Sequence, residues 1–317
     1  MPAARTTALM FLATALPGAL LAQNAAPDTA RQVTVSANYD PSLSPDGTRM
    51  VYISDIAGRE QLVVRSLDGR EVRQLTTDEA DHEDPAWSPD GNTIAFVHLK
   101  DGHARIAIMP AAGGPAEILT RADKRVIHPS WSPDSRRIIY CADDDLKPPK
   151  KNPASVMVLD LASRQVRELI SGGVNTYPVW SPDGRWIAFR RMVHDTNSEV
   201  FLADSAGRGA RNLTNSPAFD GWPAWSPDGR LIAFASNRGG TGDYEIYVMK
   251  PDGSEVRRVA RTSGRATAPK WGRDGRTLYF PICRREGCEI YESRVRAGDS
   301  ASRSDAAAGA LTRRRGR

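Results

Sequence analysis

The sequence predicts an all-β protein: a six-bladed β-propeller with four-stranded blades, its ring closed by an N-terminal strand that completes the last blade. Two repeated phrases carry that prediction, and a stray outer strand near the N-terminus supplies the closure. The first phrase reads "LSPDGTRMVY" from Leu43, "WSPDGNTIAF" from Trp87, "WSPDSRRIIY" from Trp131, "WSPDGRWIAF" from Trp180, "WSPDGRLIAF" from Trp225 and "WGRDGRTLYF" from Trp271. Its aspartates, Asp46, Asp90, Asp134, Asp183, Asp228 and Asp274, are spaced by 44, 44, 49, 45 and 46 residues. A period of that length filled with short strands is the mark of a propeller blade.

Each copy of the first phrase is a strand, a tight turn and a second strand. In "WSPDGRLIAF" the proline pre-sets φ, Asp228 can accept a bond from the backbone two residues on, and Gly229 takes the positive φ that ends the turn. The apolar run after the turn suits a strand buried on both faces. This aspartate therefore belongs to turn chemistry. Ser135 replaces the glycine in copy three, and Gly272-Arg273 replaces Ser-Pro in copy six. Leu43 stands where the other five copies have Trp, so one slot between blades takes a smaller group.

The second phrase follows the first: "EQLVVRSLDGREVRQLT" from Glu60, "ARIAIMPAAGGPAEILT" from Ala104, "ASVMVLDLASRQVRELI" from Ala154, "SEVFLADSAGRGARNLT" from Ser198 and "YEIYVMKPDGSEVRRVA" from Tyr244. Each reads as a hairpin of an apolar strand and a more polar outer one. The sixth blade runs through "LYFPICRREGCEIYESRV" and lacks its outer strand, whereas "RQVTVSANYDPSLSPDG" from Arg31 matches "RQLTTDEADHEDPAWSPDG" from Arg73. Residues 31–37 are therefore assigned to blade six, which leaves no free edge between first and last blades.

The remaining segments flank one toroid at 31–298. Residues 1–22 read as a secretory signal peptide, with Arg5, an apolar stretch over 8–21 and small residues afterwards; cleavage near Ala22 fits, and sites up to Ala26 are compatible. The apolar run is short for a membrane span. Residues 23–30 form a linker and 299–317 an Ala/Arg-rich tail expected to be disordered. The formal charge of +5 is matched by Arg5 and the tail's Arg313, Arg314, Arg315 and Arg317, so the propeller has no basic surplus and nucleic acid is not an expected partner. Export suits a disulfide between Cys283 and Cys288, which face each other across a hairpin; Cys141 reads as a buried small residue or an unpaired thiol. The long interval comes from residues 141–155, an acidic and then basic excursion.

The pattern P-x-W-S-P-D-G-x-x-I-A-F, followed by "GDYEIYVMKPDGSEVRRVA", resembles the TolB-like propellers, whose namesake is the periplasmic protein of the Tol-Pal system. The resemblance covers about residues 31–295. It implies a soluble periplasmic propeller, here expected as a monomer, that docks a periplasmic or outer-membrane-associated protein partner over its channel mouth. The family's Tol-Pal member carries an α/β domain ahead of the propeller; only a few residues separate the leader from Arg31 here, so that domain is expected to be absent.

Enzyme signatures are missing: there is no G-x-S-x-G elbow, no H-E-x-x-H and no glycine-rich phosphate loop. Function is expected at the channel. The residue before the proline of each innermost strand, Asp40, Asp84, His128, Tyr177, Trp222 and Ala268, should point towards it. Asp40, Asp84 and His128, with His82 two residues before Asp84, form a candidate metal set: Ca²⁺ would favour the carboxylates and a transition metal the imidazoles. No other cofactor is expected. Tyr177 and Trp222, with Asn175, Phe219 and Asp220 nearby, form a candidate aromatic shelf beside a carboxylate, suited to a peptide or a sugar. His98, His103 and His194 read as surface or packing residues. The preferred expectation is a non-catalytic binding or scaffold module at the cell envelope. The alternative is a metal-assisted lyase or hydrolase acting on a carbohydrate, since some propellers with this repeat resemble oligogalacturonate lyase.

Overall fold

The computed structural model describes residues 30–34, 38–143, 153–240 and 242–296. The predicted leader, the tail at 299–317, most of the linker and most of the excursion at 141–155 lie outside these residues. Among the described residues all regular structure is strand, and no helix is long and apolar enough to cross a membrane.

Six antiparallel sheets follow one another along the chain. Blade one contains Asn38–Leu43, Arg49–Ile56, Arg59–Ser66 and Val72–Gln74, paired in that order from the inside outwards. Blades two to five repeat the pattern, beginning with Asp81–Trp87, Arg125–Trp131, Asn175–Trp180 and Asp220–Trp225. Blade six has an inner strand divided into Arg265–Ala266 and Lys270–Trp271, then Thr277–Arg284 and Gly287–Arg294. Arg31–Gln32 lies antiparallel on the outside of Gly287–Arg294, with Arg31 opposite Glu292 and Gln32 opposite Tyr291. Cys283 and Cys288 are cross-strand neighbours joined by a disulfide.

The repeated aspartate works as a turn device. Ser181 Oγ donates to Asp183 Oδ1 at 2.6 Å, the Arg185 amide donates to the same oxygen at 3.1 Å, and the Trp186 amide donates to Ser181 Oγ at 2.9 Å. The bond from Ser181 comes first in holding the Asp183 carboxyl down at about 2. Equivalent bonds recur at Asp46, Asp90, Asp134 and Asp228.

The core is distributed between blades. Phe96 of blade two packs with Val51, Ile53 and Leu62 of blade one, and Phe189 of blade four packs with Ile139, Val156 and Val158 of blade three. The interface of blade six with blade one is built the same way, from Tyr279 and Ile290 against Met50, Tyr52 and Val63. Phe96, Phe189, Phe234 and Phe280 end their copies of the first phrase and are wholly buried; each such ring is worth about 1.5–3 kcal/mol in burial.

Candidate functional site

A proline inside an inner strand removes a ladder donor and is tolerated at a bulge. Such a bulge breaks the innermost pairing of each of blades one to five, between Tyr39 and Ser42, Glu83 and Ala86, Ile127 and Ser130, Thr176 and Val179, and Gly221 and Ala224. In these five blades the prolines thus lie within the inner strands and do not open them. The residue before each proline has a positive φ: Asp40 47°, Asp84 51°, His128 55°, Tyr177 53°, Trp222 55° and Ala268 42°. A non-glycine residue held there costs about 1–3 kcal/mol, and a bulge re-aims its side chain. All six line one channel cavity of about 500 Å³.

Around the ring the neighbours are coupled. The His128 amide donates to Asp84 Oδ2 at 2.9 Å, and His128 Nε2 lies 3.9 Å from the same oxygen. The His128 imidazole stacks on Tyr177 with centroids 3.6 Å apart, and Tyr177 leads to Trp222 at 5.5 Å. Phe219 and Tyr244 extend that aromatic surface, at 5.7 and 5.5 Å from Trp222.

Three predicted residues, His82, Asn175 and Asp220, stand apart from this site and do not line the channel. All three occupy the position two residues before the ring residue, and its equivalents Asn38, His82, Val126, Asn175, Asp220 and Ala266 are all buried within the blades. Asp220 Oδ2 accepts from Arg238 Nη2 at 2.7 Å, and Asn175 Oδ1 accepts from Arg191 Nε at 2.7 Å, so both are internal fasteners and not part of a binding shelf. The remaining members of the metal set, Asp40, Asp84 and His128, share the channel, but they do not bring three donor atoms within 4.8 Å of one another.

Three partners escaped the sequence reading. Lys270 lines the channel two residues after Ala268, where the other blades place Ser42, Ala86, Ser130, Val179 and Ala224. That lone long side chain among small ones was a readable signal. Arg190 lays its guanidinium 4.8 Å from the Tyr177 ring centroid and 5.5 Å from those of Phe219 and Trp222, a cation–π arrangement. Its Nε donates to Thr176 Oγ1 at 2.8 Å. Cys141 is buried and outside any disulfide, as expected, but its place beside the ring was not foreseen: Sγ lies 3.7 Å from His128 Nδ1. Neither Arg190 nor Cys141 had a local sequence signal.

Burial dominates the electrostatics. It raises the Asp40 carboxyl to about 7, with Asp84 adding repulsion, and Glu83 behaves likewise at about 7. It lowers His128 to about 4, so that imidazole is neutral at neutral pH. Burial also depresses the Lys270 ammonium, and Asp40 and Asp84 oppose that shift. One side of the channel therefore offers two aspartates and a lysine, and the other an aromatic wall against which the Arg190 guanidinium packs.

The chain matches the TolB beta propeller domain family over residues 19–149 and 119–299. Among solved structures it is similar to a protein assigned as TolB from Agrobacterium tumefaciens, at 22% identity and TM-score 0.67, covering 86% of this chain and 100% of that one. A second likeness is TolB from Acinetobacter baumannii, at 20% identity and TM-score 0.63, covering 79% of this chain and 64% of that one. A third is an oligogalacturonate lyase in complex with manganese, at 14% identity and TM-score 0.59, covering 85% of this chain and 91% of that one. At these identities the likenesses establish the fold.

Proposed function

Since the chain belongs to the TolB β-propeller family, we propose that it is an exported periplasmic binding module that holds a segment of a protein partner at its channel mouth and performs no chemistry of its own. The observation that carries this reading is the ring of six residues sharing one unusual backbone conformation while differing in side chain. Strained backbone held by its surroundings is a reason to look for function at that place. A cavity of about 500 Å³ with few charged groups and an aromatic wall suits a few residues of an extended chain. Tyr177 and Trp222 supply apolar contact area, Arg190 fixes the wall, and Asp84 and Lys270 orient polar or charged groups of the guest. Closure of the toroid by packed blade interfaces keeps the site rigid, which reduces the entropy lost on binding.

A photo-crosslinking residue at Ala268, a small member of the ring, tests this in the periplasm. A protein adduct of defined mass is expected, and Trp222→Ala or Tyr177→Ala should weaken binding of that partner by about 10- to 100-fold. Absence of an adduct, together with turnover of uronic-acid polymers by the purified protein, would overturn the binding reading.

The co-location of Asp40, Asp84 and His128 in the channel keeps a metal-assisted lyase as the second reading. It requires stoichiometric metal in the purified protein and uronic-acid turnover abolished by Asp84→Asn. Full stability in chelator with no turnover would remove it.

A further inference from the structure

His82 is a chemical anomaly among its structural equivalents. Where that position is polar in other blades, the side chain is bonded: Asn38 Nδ2 donates to Glu289 Oε2 at 3.3 Å, Asn175 holds Arg191, and Asp220 holds Arg238. His82 is wholly buried, and neither ring nitrogen has a hydrogen-bond partner of good geometry. A buried polar group without a protein partner costs about 1–3 kcal/mol unless something else satisfies it.

The surroundings point to the chemistry of a partner from outside the protein. His98 is the cross-strand neighbour of His82, with ring centroids 5.3 Å apart, and its buried Nδ1 also makes no hydrogen bond. Asp78, in the connection from blade one to blade two, places Oδ1 3.5 Å from His82 Nε2. The donor atoms of the three residues lie within 4.8 Å of one another, and they are the one such trio among the described residues. Tetrahedral coordination with bonds of about 2 Å requires donors about 3.3 Å apart, so modest side-chain rotation closes the set.

We propose that Asp78, His82 and His98 form a transition-metal site on blade two, with Zn²⁺ as the ion that best suits two imidazoles and a carboxylate. The two nitrogens exclude a site for Ca²⁺ or Mg²⁺, which take oxygen donors. The Ala80 amide donates to Asp78 Oδ1 at 3.0 Å and so helps to fix the orientation of the carboxylate. Asp78 is about half exposed, with its side chain at 54%, so the fourth position opens to water. Arg105, opposite His98, opposes the ion's charge and Asp81 supports it. The ion would tie the connection between blades one and two to the second strand of blade two, apart from the channel, whose lining includes none of the three ligands.

The test uses the full chain stripped with chelator and titrated with ZnCl₂, read by calorimetry and by metal content after dialysis. One zinc per chain is expected, with a Tm raised by several degrees at saturating zinc and a tetrahedral visible spectrum on substitution with cobalt. His98→Gln and Asp78→Asn change partly exposed side chains; each should lower zinc affinity at least 10-fold and cancel the Tm gain. His82→Gln should do the same, and the other two variants keep the test decisive if it fails to fold. No stoichiometric zinc, zinc affinity unchanged in both His98→Gln and Asp78→Asn, or loss of zinc in His128→Gln instead would overturn the proposal.

Discussion

Asp40 keeps its proton to about pH 7, whereas an aspartate in the unfolded chain releases it near 3.8. Unfolding is therefore accompanied by proton release across that window: the penalty is absent below about pH 4, grows as pH rises, and is complete above 7. Asp40→Asn removes a buried charge that Asp84 repels, and should raise Tm at pH 8 with a gain that disappears by pH 4, as thermal melts across pH would show. His128 works in the other direction. Its folded pKa of about 4 lies below the ordinary 6.5, so its penalty is absent above 6.5 and grows as pH falls towards 4. His128→Gln should lessen the loss of Tm between pH 7 and pH 4. At this scale the six ring residues were legible, because they vary at a fixed place beside a turn that changes little from copy to copy. His82, Asn175 and Asp220 were misplaced because two residues along a strand ordinarily keep a side chain on the same face, and the intervening bulge changes where the ring residue points.

The elements meet through backbone as well as side chains. The hairpin turn at Gly207 of blade four packs on the outer strand of blade three so closely that an added Cβ would lie 2.0 Å from the Leu169 carbonyl oxygen. Gly58, whose φ is also positive, has nothing within 4 Å of that point. Gly58→Ala should cost about 1 kcal/mol, the conformational term alone, while Gly207→Ala must also displace a blade and should cost several-fold more by denaturant titration. The strand count, the turns and the hairpins were all readable, since each rests on local chemistry in a short phrase. The bulges were not, because a proline before a strand and a proline within one look alike until the pairing partner is known. Lys270 of blade six meets Asp40 of blade one only because the ring closes, whereas Arg190 meets Tyr177 across neighbouring strands of its own blade, a contact set by the bulge and not by any local phrase.

Across the whole molecule, the blade-to-blade clusters make each interface depend on its neighbours, including that of blade six with blade one. The N-terminal segment adds to blade six: the Val33 amide donates to the Ile290 carbonyl at 2.7 Å, and Thr34 Oγ1 donates to Glu289 Oε2 at 2.9 Å and accepts from the Ile290 amide at 3.0 Å. Removing residues through 34 should lower Tm by several degrees, at about 1 kcal/mol per lost bond. An unchanged calorimetric transition would show that this strand stands outside the cooperative unit. The ring of positive-φ residues has a further consequence for how such a protein changes over time. Its geometry is set by strand pairing and proline, and one chain already carries Asp, His, Tyr, Trp and Ala at equivalent places. Under the proposed binding role, the guest preference is a six-letter address on a frame indifferent to the letters. A new address can be written by exchanging those letters while the interfaces between blades stay untouched.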